Sequence, residues 1–483
     1  MRSAMTRRMR IAAVVLLAAL AWSSYALRRA AIARFFTDGP AAAAPAWTRD
    51  AGPGDGAATR VRVVLLDGLS RADAAGLPEL SRRCATGIDA VVDVGFPTVS
   101  MPVQHALWTG RTQQQSGLQY RIGRIDPPPL DALPIRVPGS VAVGESHRDI
   151  VHSFGFARTE PALDRDEIEA AGSAWRTGEF AAQAEAAVAS DAALAFVHVL
   201  RIDEAGHAFG GASPEYARAA AEADAMLARW VAADPSPGRT RWFVLADHGH
   251  RPGGGHGDAE PEIRLVRACI FGDGQGPIVE AAPVHLVDLH RAIADALGLS
   301  PAPDAVGRTL AAAWAAPEPD ATLPKVATID RVIAGLVVLA AIGVAARLLG
   351  AAAIAALLWP GVAWLVVVVA HGAITLSNPV VYPPLGAAVL LASLPGFAIL
   401  AVAVHVVARR VGLARAVAGL LAPAVGAWLG VAWLAGVPAA LLGGPPPLVP
   451  FVSGWASVLA TIVAGGFATA ALAAVVAPRV DRT

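Results

Sequence analysis

Four short segments of this chain place carboxylates, imidazoles and one hydroxyl at spacings that could serve chemistry. Asp67-Gly68 closes the apolar run Val61-Arg62-Val63-Val64-Leu65-Leu66. Ser100 stands in Phe96-Pro97-Thr98-Val99-Ser100-Met101-Pro102, just ahead of a predicted helix with Pro102 in its first turn. Asp203 and His207 are four residues apart, so one helical turn would put both on one face. Asp247 and His248 follow another apolar run, and His256 lies beyond the loop Gly253-Gly254-Gly255. Taken singly, each has a plain alternative: Asp is a common helix cap and turn residue, and a His in a Gly loop is usually at the surface. The hydroxyl sets the chemistry that the group could do. A helix N-terminus favours the anion that Ser100 would become, or a phosphate that it would attack.

Positioning these residues falls to an α/β framework. Val61–Leu66, Ala195–Leu200 and Trp242–Ala246 are short apolar runs suited to buried central strands, and each is followed within a few residues by Asp. Helical patterns such as Pro214–Ala233 separate them. The expectation is a sheet with the carboxylates at one edge, the C-terminal edge where open α/β sheets place their sites.

The segments, in this order, resemble the alkaline phosphatase superfamily, particularly its nucleotide pyrophosphatase/phosphodiesterase and glycosylphosphatidylinositol ethanolamine-phosphate transferase branches. The resemblance spans residues 60–312 and includes a tail running from Val287-Asp288-Leu289 to Gly307-Arg308-Thr309-Leu310. It implies an alkaline-phosphatase-like three-layer α/β domain with a mostly parallel central sheet. It implies two divalent metal ions of the zinc type, one held by Asp67, Ser100, Asp247 and His248, the other by Asp203, His207 and His256. Ser100 would be the nucleophile in cleavage or transfer of a phosphoester, and the two outcomes differ only in whether water or an alcohol enters second. Thr98, Gln119 and Arg121 are the candidates for touching substrate. Arg121 stands where phosphodiesterase relatives tend to place Asn; a guanidinium there could clamp a more highly charged group, and the alternative is a surface Arg or ion-pair partner.

Two further features of the motifs bear on substrate. Ser100-Met101-Pro102-Val103-Gln104 has Gln where sulfatases of the superfamily carry Arg, which points away from sulfate esters and leaves a sulfatase-like hydrolase as the alternative. His250 occupies a position where relatives usually have Met, and His105 and His198 are expected to be structural. A non-catalytic ligand-binding sensor or transporter is the reading outside catalysis, against which the complete ligand set argues.

Composition divides the chain. It has 483 residues, 16% charged, with 39 basic and 39 acidic side chains, and a mean hydropathy of +0.50. That is too apolar for one soluble domain, and zero net charge offers no basic face for nucleic acid. Arg2, Arg7, Arg8 and Arg10 precede an apolar stretch over 11–27 that suits a signal anchor, with a cleaved signal peptide as the alternative. A linker over 28–59, the catalytic domain over 60–312 and a Pro-rich linker over 313–329 follow. Residues 330–478 are read as a membrane domain of about five helices, near 331–347, 351–370, 384–408, 416–441 and 451–477, ahead of a short tail over 479–483. With the middle domain outside, Arg347, Arg409, Arg410, Arg415 and Arg479 all fall inside, as the positive-inside rule requires. The expected location is therefore the cytoplasmic membrane with the domain on its periplasmic or extracellular side. The multi-helix region, like that of the ethanolamine-phosphate transferases, implies a lipid or glycolipid phosphoester as substrate. Cys84 and Cys269 could pair if exported, but two separate buried thiols are the simpler expectation.

Overall fold

The computed structural model describes residues 60–118, 121, 123–145, 148–161, 179–257 and 260–317, with isolated helical positions at 11, 15, 19, 336 and 340. The chain divides into two compact units, Phe36–Leu323 and a second formed by Met1–Phe35 with Pro324–Thr483. Among the described residues no helix is long and apolar enough to cross a membrane. The stretches expected to span one, over 11–27 and 330–478, lie outside the described residues apart from those isolated positions.

Among the described residues eight strands form one sheet: β1 (Arg60–Leu66), β2 (Ile88–Asp93), β3 (Val141–Gly144), β4 (Arg158–Glu160), β5 (Leu194–Val199), β6 (Thr240–Leu245), β7 (Leu265–Gly272) and β8 (Ile278–His285), in the order β4-β3-β5-β1-β6-β7-β2-β8. Only β7 runs against the rest, pairing antiparallel with both β6 and β2. The sheet is thus mixed but mostly parallel. β1 is buried along its whole length, which is why it reads as a continuous branched run rather than an alternating one.

Five described helices have nine or more residues: α1 (Ser100–Thr109), α2 (Phe180–Ala189), α3 (Arg201–Phe209), α4 (Pro214–Ala232) and α5 (Leu286–Ala296). They cover both faces of the sheet. On one, Trp108 of α1 packs edge-on against Phe196 of β5, with ring centroids 5.0 Å apart, and α5 lies against α1. On the other, buried Arg62 of β1 reaches the end of α2, donating to the carbonyls of Val188 and Ser190 and, beyond it, Ala192. A buried guanidinium needs such partners, and a helix C-terminus has carbonyls without them. Burial, and then the neighbouring Arg60, draw the Arg62 pKa down to about 10.

β5, β1 and β6 are adjacent and parallel, in register Leu66↔Val199 and Leu65↔Leu245. Their C-terminal ends therefore line up, and the Asp residues that follow them come together. One sequence expectation needs correction: α1 begins at Ser100 itself rather than just after it, with Val99 as the preceding cap residue, while Pro102 stands in the first turn as expected. The cysteines need another. Cys84, ending the helix Pro78–Cys84, and Cys269 of β7 form a disulfide with Cα atoms 4.9 Å apart, in place of two separate thiols. The strand β7 carries Cys269 directly over that short helix, a proximity invisible across 185 residues of sequence.

Candidate functional site

Asp67 is the first residue past β1, and Gly68 follows it at φ 74°, a left-handed turn that glycine adopts without strain. The turn is held from two sides. Gly68 N–H donates to Asp247 Oδ1 at 3.1 Å. Tyr216, from α4, donates its hydroxyl to Gly68 O at 2.6 Å and accepts from Ser70 N–H at 2.8 Å. Asp203 and His207 are carried by α3, whose start is fixed by Glu145: this buried carboxylate accepts from the backbone N–H groups of Leu200 and Arg201 and from the Arg201 side chain. A carboxylate at a helix N-terminus satisfies donors that the helix itself cannot.

Asp67 Oδ1, Ser100 Oγ and His248 Nε2 form a triangle with sides of 3.3 and 3.4 Å: Ser100–His248 is 3.3 Å, and Ser100–Asp67 and His248–Asp67 are each 3.4 Å. Asp247 Oδ2 lies 3.7 Å from the same His248 Nε2 and, though buried, has no hydrogen-bond partner among the described residues. A second triangle joins Asp203 Oδ1, His207 Nε2 and His256 Nε2, with both Asp–His sides 3.4 Å and the His–His side 3.0 Å. The two triangles adjoin. The His248 and His256 rings stack with centroids 3.6 Å apart, and Asp67, Asp203 and His248 are themselves close enough to share a cation.

Tautomers can be read from the backbone. His256 Nδ1 lies 2.7 Å from Thr98 O and His248 Nδ1 lies 3.2 Å from Gly249 O. A carbonyl only accepts, so Nδ1 carries the proton in each ring and Nε2 presents a lone pair to its triangle. Burial and then His248 push the His256 pKa well down, which keeps that lone pair unprotonated. Burial alone would raise Asp203, but His207, the hydrogen bond from His250 and His256 hold it well below the usual carboxylate range. Asp67 goes the other way: burial, followed by the facing Asp247 and Asp203 carboxylates, pushes it well up.

These observations test whether divalent cations fit. Buried carboxylates facing one another are costly unless positive charge lies between them. A tetrahedral zinc-type ion with bonds of about 2.0 to 2.1 Å sets its ligand atoms about 3.3 Å apart. Both triangles have that size, and both offer imidazole nitrogen and carboxylate oxygen. The residues present fit two ions.

All seven residues of the expected metal set are brought together here, and Thr98 joins them: its carbonyl faces His256 and its side-chain oxygen accepts from Gly257 N–H at 2.9 Å. Gln119 lies outside the described residues. Arg121 donates to Arg124 O at 3.2 Å. Two histidines outside the expected metal set stand directly against it. His198, fully buried on β5, has Nε2 2.6 Å from Asp67 Oδ2 and 3.4 Å from the Gln104 amide nitrogen. His250 has Nε2 2.8 Å from Asp203 Oδ1. The signal for His198 was its place one residue before the end of a buried strand, where a polar side chain needs a partner.

Residues 141–260 match the family model described as type I phosphodiesterase / nucleotide pyrophosphatase. The matched region holds Asp203, His207, Asp247, His248 and His256, and supports the alkaline phosphatase superfamily for this chain. Similar solved structures include the murine ectonucleotide pyrophosphatase/phosphodiesterase 5, inactive and in complex with AMP, at 16% identity over 51% of this chain and 96% of that one, TM-score 0.38. A 2-O GAG sulfatase is similar at 13% identity over 53% and 73%, TM-score 0.38. A protein in the alkaline phosphatase superfamily from Vibrio parahaemolyticus is similar at 14% identity over 60% and 78%, TM-score 0.36. No curated protein sequence matches the chain.

Proposed function

We propose that this chain is a two-metal phosphoester hydrolase or phosphotransferase, of phosphodiesterase or ethanolamine-phosphate-transferase type, that uses Ser100 as its nucleophile. The observation that carries the reading is the pair of adjoining triangles, one of which has the Ser100 hydroxyl as a corner. Two zinc-type ions bound there would supply concentrated positive charge against the phosphoryl oxygens and would lower the pKa of a hydroxyl beside them. Asp67, Asp247 and His248 would hold one ion with Ser100, and Asp203, His207 and His256 the other.

The residues themselves do the rest. Ser100 is the first residue of α1, and the positive end of that helix would favour the anion that the hydroxyl attacks. In the first half-reaction Ser100 Oγ bonds to phosphorus, the ester oxygen departs with the bonding pair, and the serine proton is released as the leaving alcohol takes one from water. In the second, water or an acceptor alcohol replaces the serine oxygen by the same displacement and the hydroxyl is restored. Asp67 Oδ2, held by His198, leaves Oδ1 as the oxygen turned toward Ser100.

We place the domain outside the cytoplasmic membrane, anchored by the apolar stretches at both ends, acting on a lipid or glycolipid phosphoester. Support comes from the arginine distribution and from the Cys84–Cys269 bond, since disulfides persist in oxidising compartments. The test is the zinc-supplemented full chain with bis-p-nitrophenyl phosphate, p-nitrophenyl phosphate and p-nitrophenyl sulfate. Phosphoester turnover should exceed sulfate turnover and fall about 10³-fold or more in Ser100→Ala. Full activity in that variant would remove Ser100 from the mechanism.

A further inference from the structure

We infer that His250, although it stands within ligand distance of the second cation position, is not a ligand but the residue that orients Asp203. The inference rests on the two-metal reading and concerns how that site is built. Four side chains, Asp203, His207, His250 and His256, converge closely enough to hold one ion. Three of them form the triangle already described, and His250 differs from these in the proton it must carry.

His250 Nδ1 accepts a hydrogen bond from the backbone N–H of Gly255 at 3.1 Å. A backbone N–H can only donate, so Nδ1 has no proton, and in a neutral imidazole the proton then resides on Nε2. Nε2 lies 2.8 Å from Asp203 Oδ1, the length of a charge-assisted bond from N–H to carboxylate. A protonated Nε2 has no lone pair left for a metal. His256 and His248, pinned by carbonyls, have the opposite tautomer and are the ligand type. The Gly255 N–H thus separates an orienting histidine from the ligating ones.

The ring's place is also built. A Cβ on Gly206 would come within 2.5 to 2.6 Å of His250 Cδ2, Cγ and Nε2, and one on Gly211 within 2.9 Å of His250 Cβ. Gly206 sits inside α3, where glycine weakens a helix relative to alanine. The His250 ring accounts for it, and because both ring nitrogens are engaged the ring has no room to yield. His250 is buried, at 4% exposure, so nothing outside competes for its Nε2 proton.

Partners that orient a metal ligand are worth about 10- to 100-fold in metal affinity. The experiment compares metal-free full chain, wild type and variants, reloaded with Co²⁺ and read by ions bound per chain, affinity by chelator competition and the visible ligand-field band. His250→Gln keeps an N–H donor near the Nε2 position, so it should bind two ions with the wild-type band. His250→Ala, and Gly206→Ala by displacing the ring, should weaken one of the two ions by about 10- to 100-fold. His256→Ala serves as the reference for loss of a true ligand. A His250→Gln chain that loses an ion or shifts the band as His256→Ala does would make His250 a ligand and overturn the inference. Wild-type affinity in His250→Ala would overturn it as well. A wild-type chain binding fewer than two ions overturns the two-metal reading and the inference with it, a result distinguishable from either of the others.

Discussion

A buried histidine is useful only in the protonation state its surroundings enforce. His285 illustrates this away from the site: it caps α5, its Nδ1 accepts from Val287 N–H, and burial, then Arg308 and Arg264, push its pKa down to about 3. His105, inside α1, is also drawn to about 3 by burial and then Arg111. Both are neutral in the fold, while the unfolded chain takes up their protons from 6.5 downward. Stability contributed by the neutral forms is present at high pH and is lost as pH falls from 6.5 toward 3, at about 1.4 kcal/mol per pH unit for each group. His285→Asn keeps an acceptor for the cap but cannot protonate. Chemical denaturation between pH 7 and pH 5 should show its stability falling less steeply with acid than the wild type; equal slopes would show that His285 is not buried neutral. At this scale the sequence was most legible where residue type and strand-end position coincided, as at Asp67, Asp203 and Asp247. It was least legible at His250, whose role depends on which ring nitrogen the Gly255 N–H engages across a folded glycine loop, and on the gap left by Gly206.

Elements act by holding loops whose own sequence has no means of staying put. The Asp67-to-Ser70 turn is pinned by Tyr216, one residue of α4 that sits 146 positions from Ser70. Tyr216→Phe removes one donor and one acceptor there, leaving Gly68 O and Ser70 N–H buried without that partner. The expected cost is about 1 to 3 kcal/mol of stability, measured by denaturation, with turnover falling at unchanged metal content. A variant with wild-type stability and turnover would mean that the turn holds without Tyr216. Strands β1, β5 and β6 were readable because burial on both faces leaves a continuous apolar signature. The reversed β7 was not, since an antiparallel strand buried within the sheet carries the same signature; its direction is fixed by pairing with β6 and β2, which local sequence does not encode. The Glu145 cap of α3 was hidden for the same reason, being 55 residues from the N–H it serves at Leu200.

For the whole molecule, the proposal that the middle domain lies outside the membrane rests on the arginine pattern of the sequence and on the Cys84–Cys269 bond. If the middle domain is outside, a reporter active only outside the membrane should be active when fused after residue 317 and inactive when fused between Arg410 and Arg415. The reverse pattern would put the domain in the cytoplasm, where the Cys84–Cys269 bond would not be expected. The pairing of those cysteines was beyond the sequence because β7 had first to be laid against the short helix that Cys84 ends. The claim on which everything else depends is that Ser100 carries the phosphoryl group between donor and acceptor. It is tested most directly by acid-quenching the zinc-loaded full chain during turnover of a phosphodiester and mapping the modified peptide. The account predicts the phosphoryl group on Ser100, absent from Ser100→Ala; label on another side chain, or label that persists in Ser100→Ala, would contradict it.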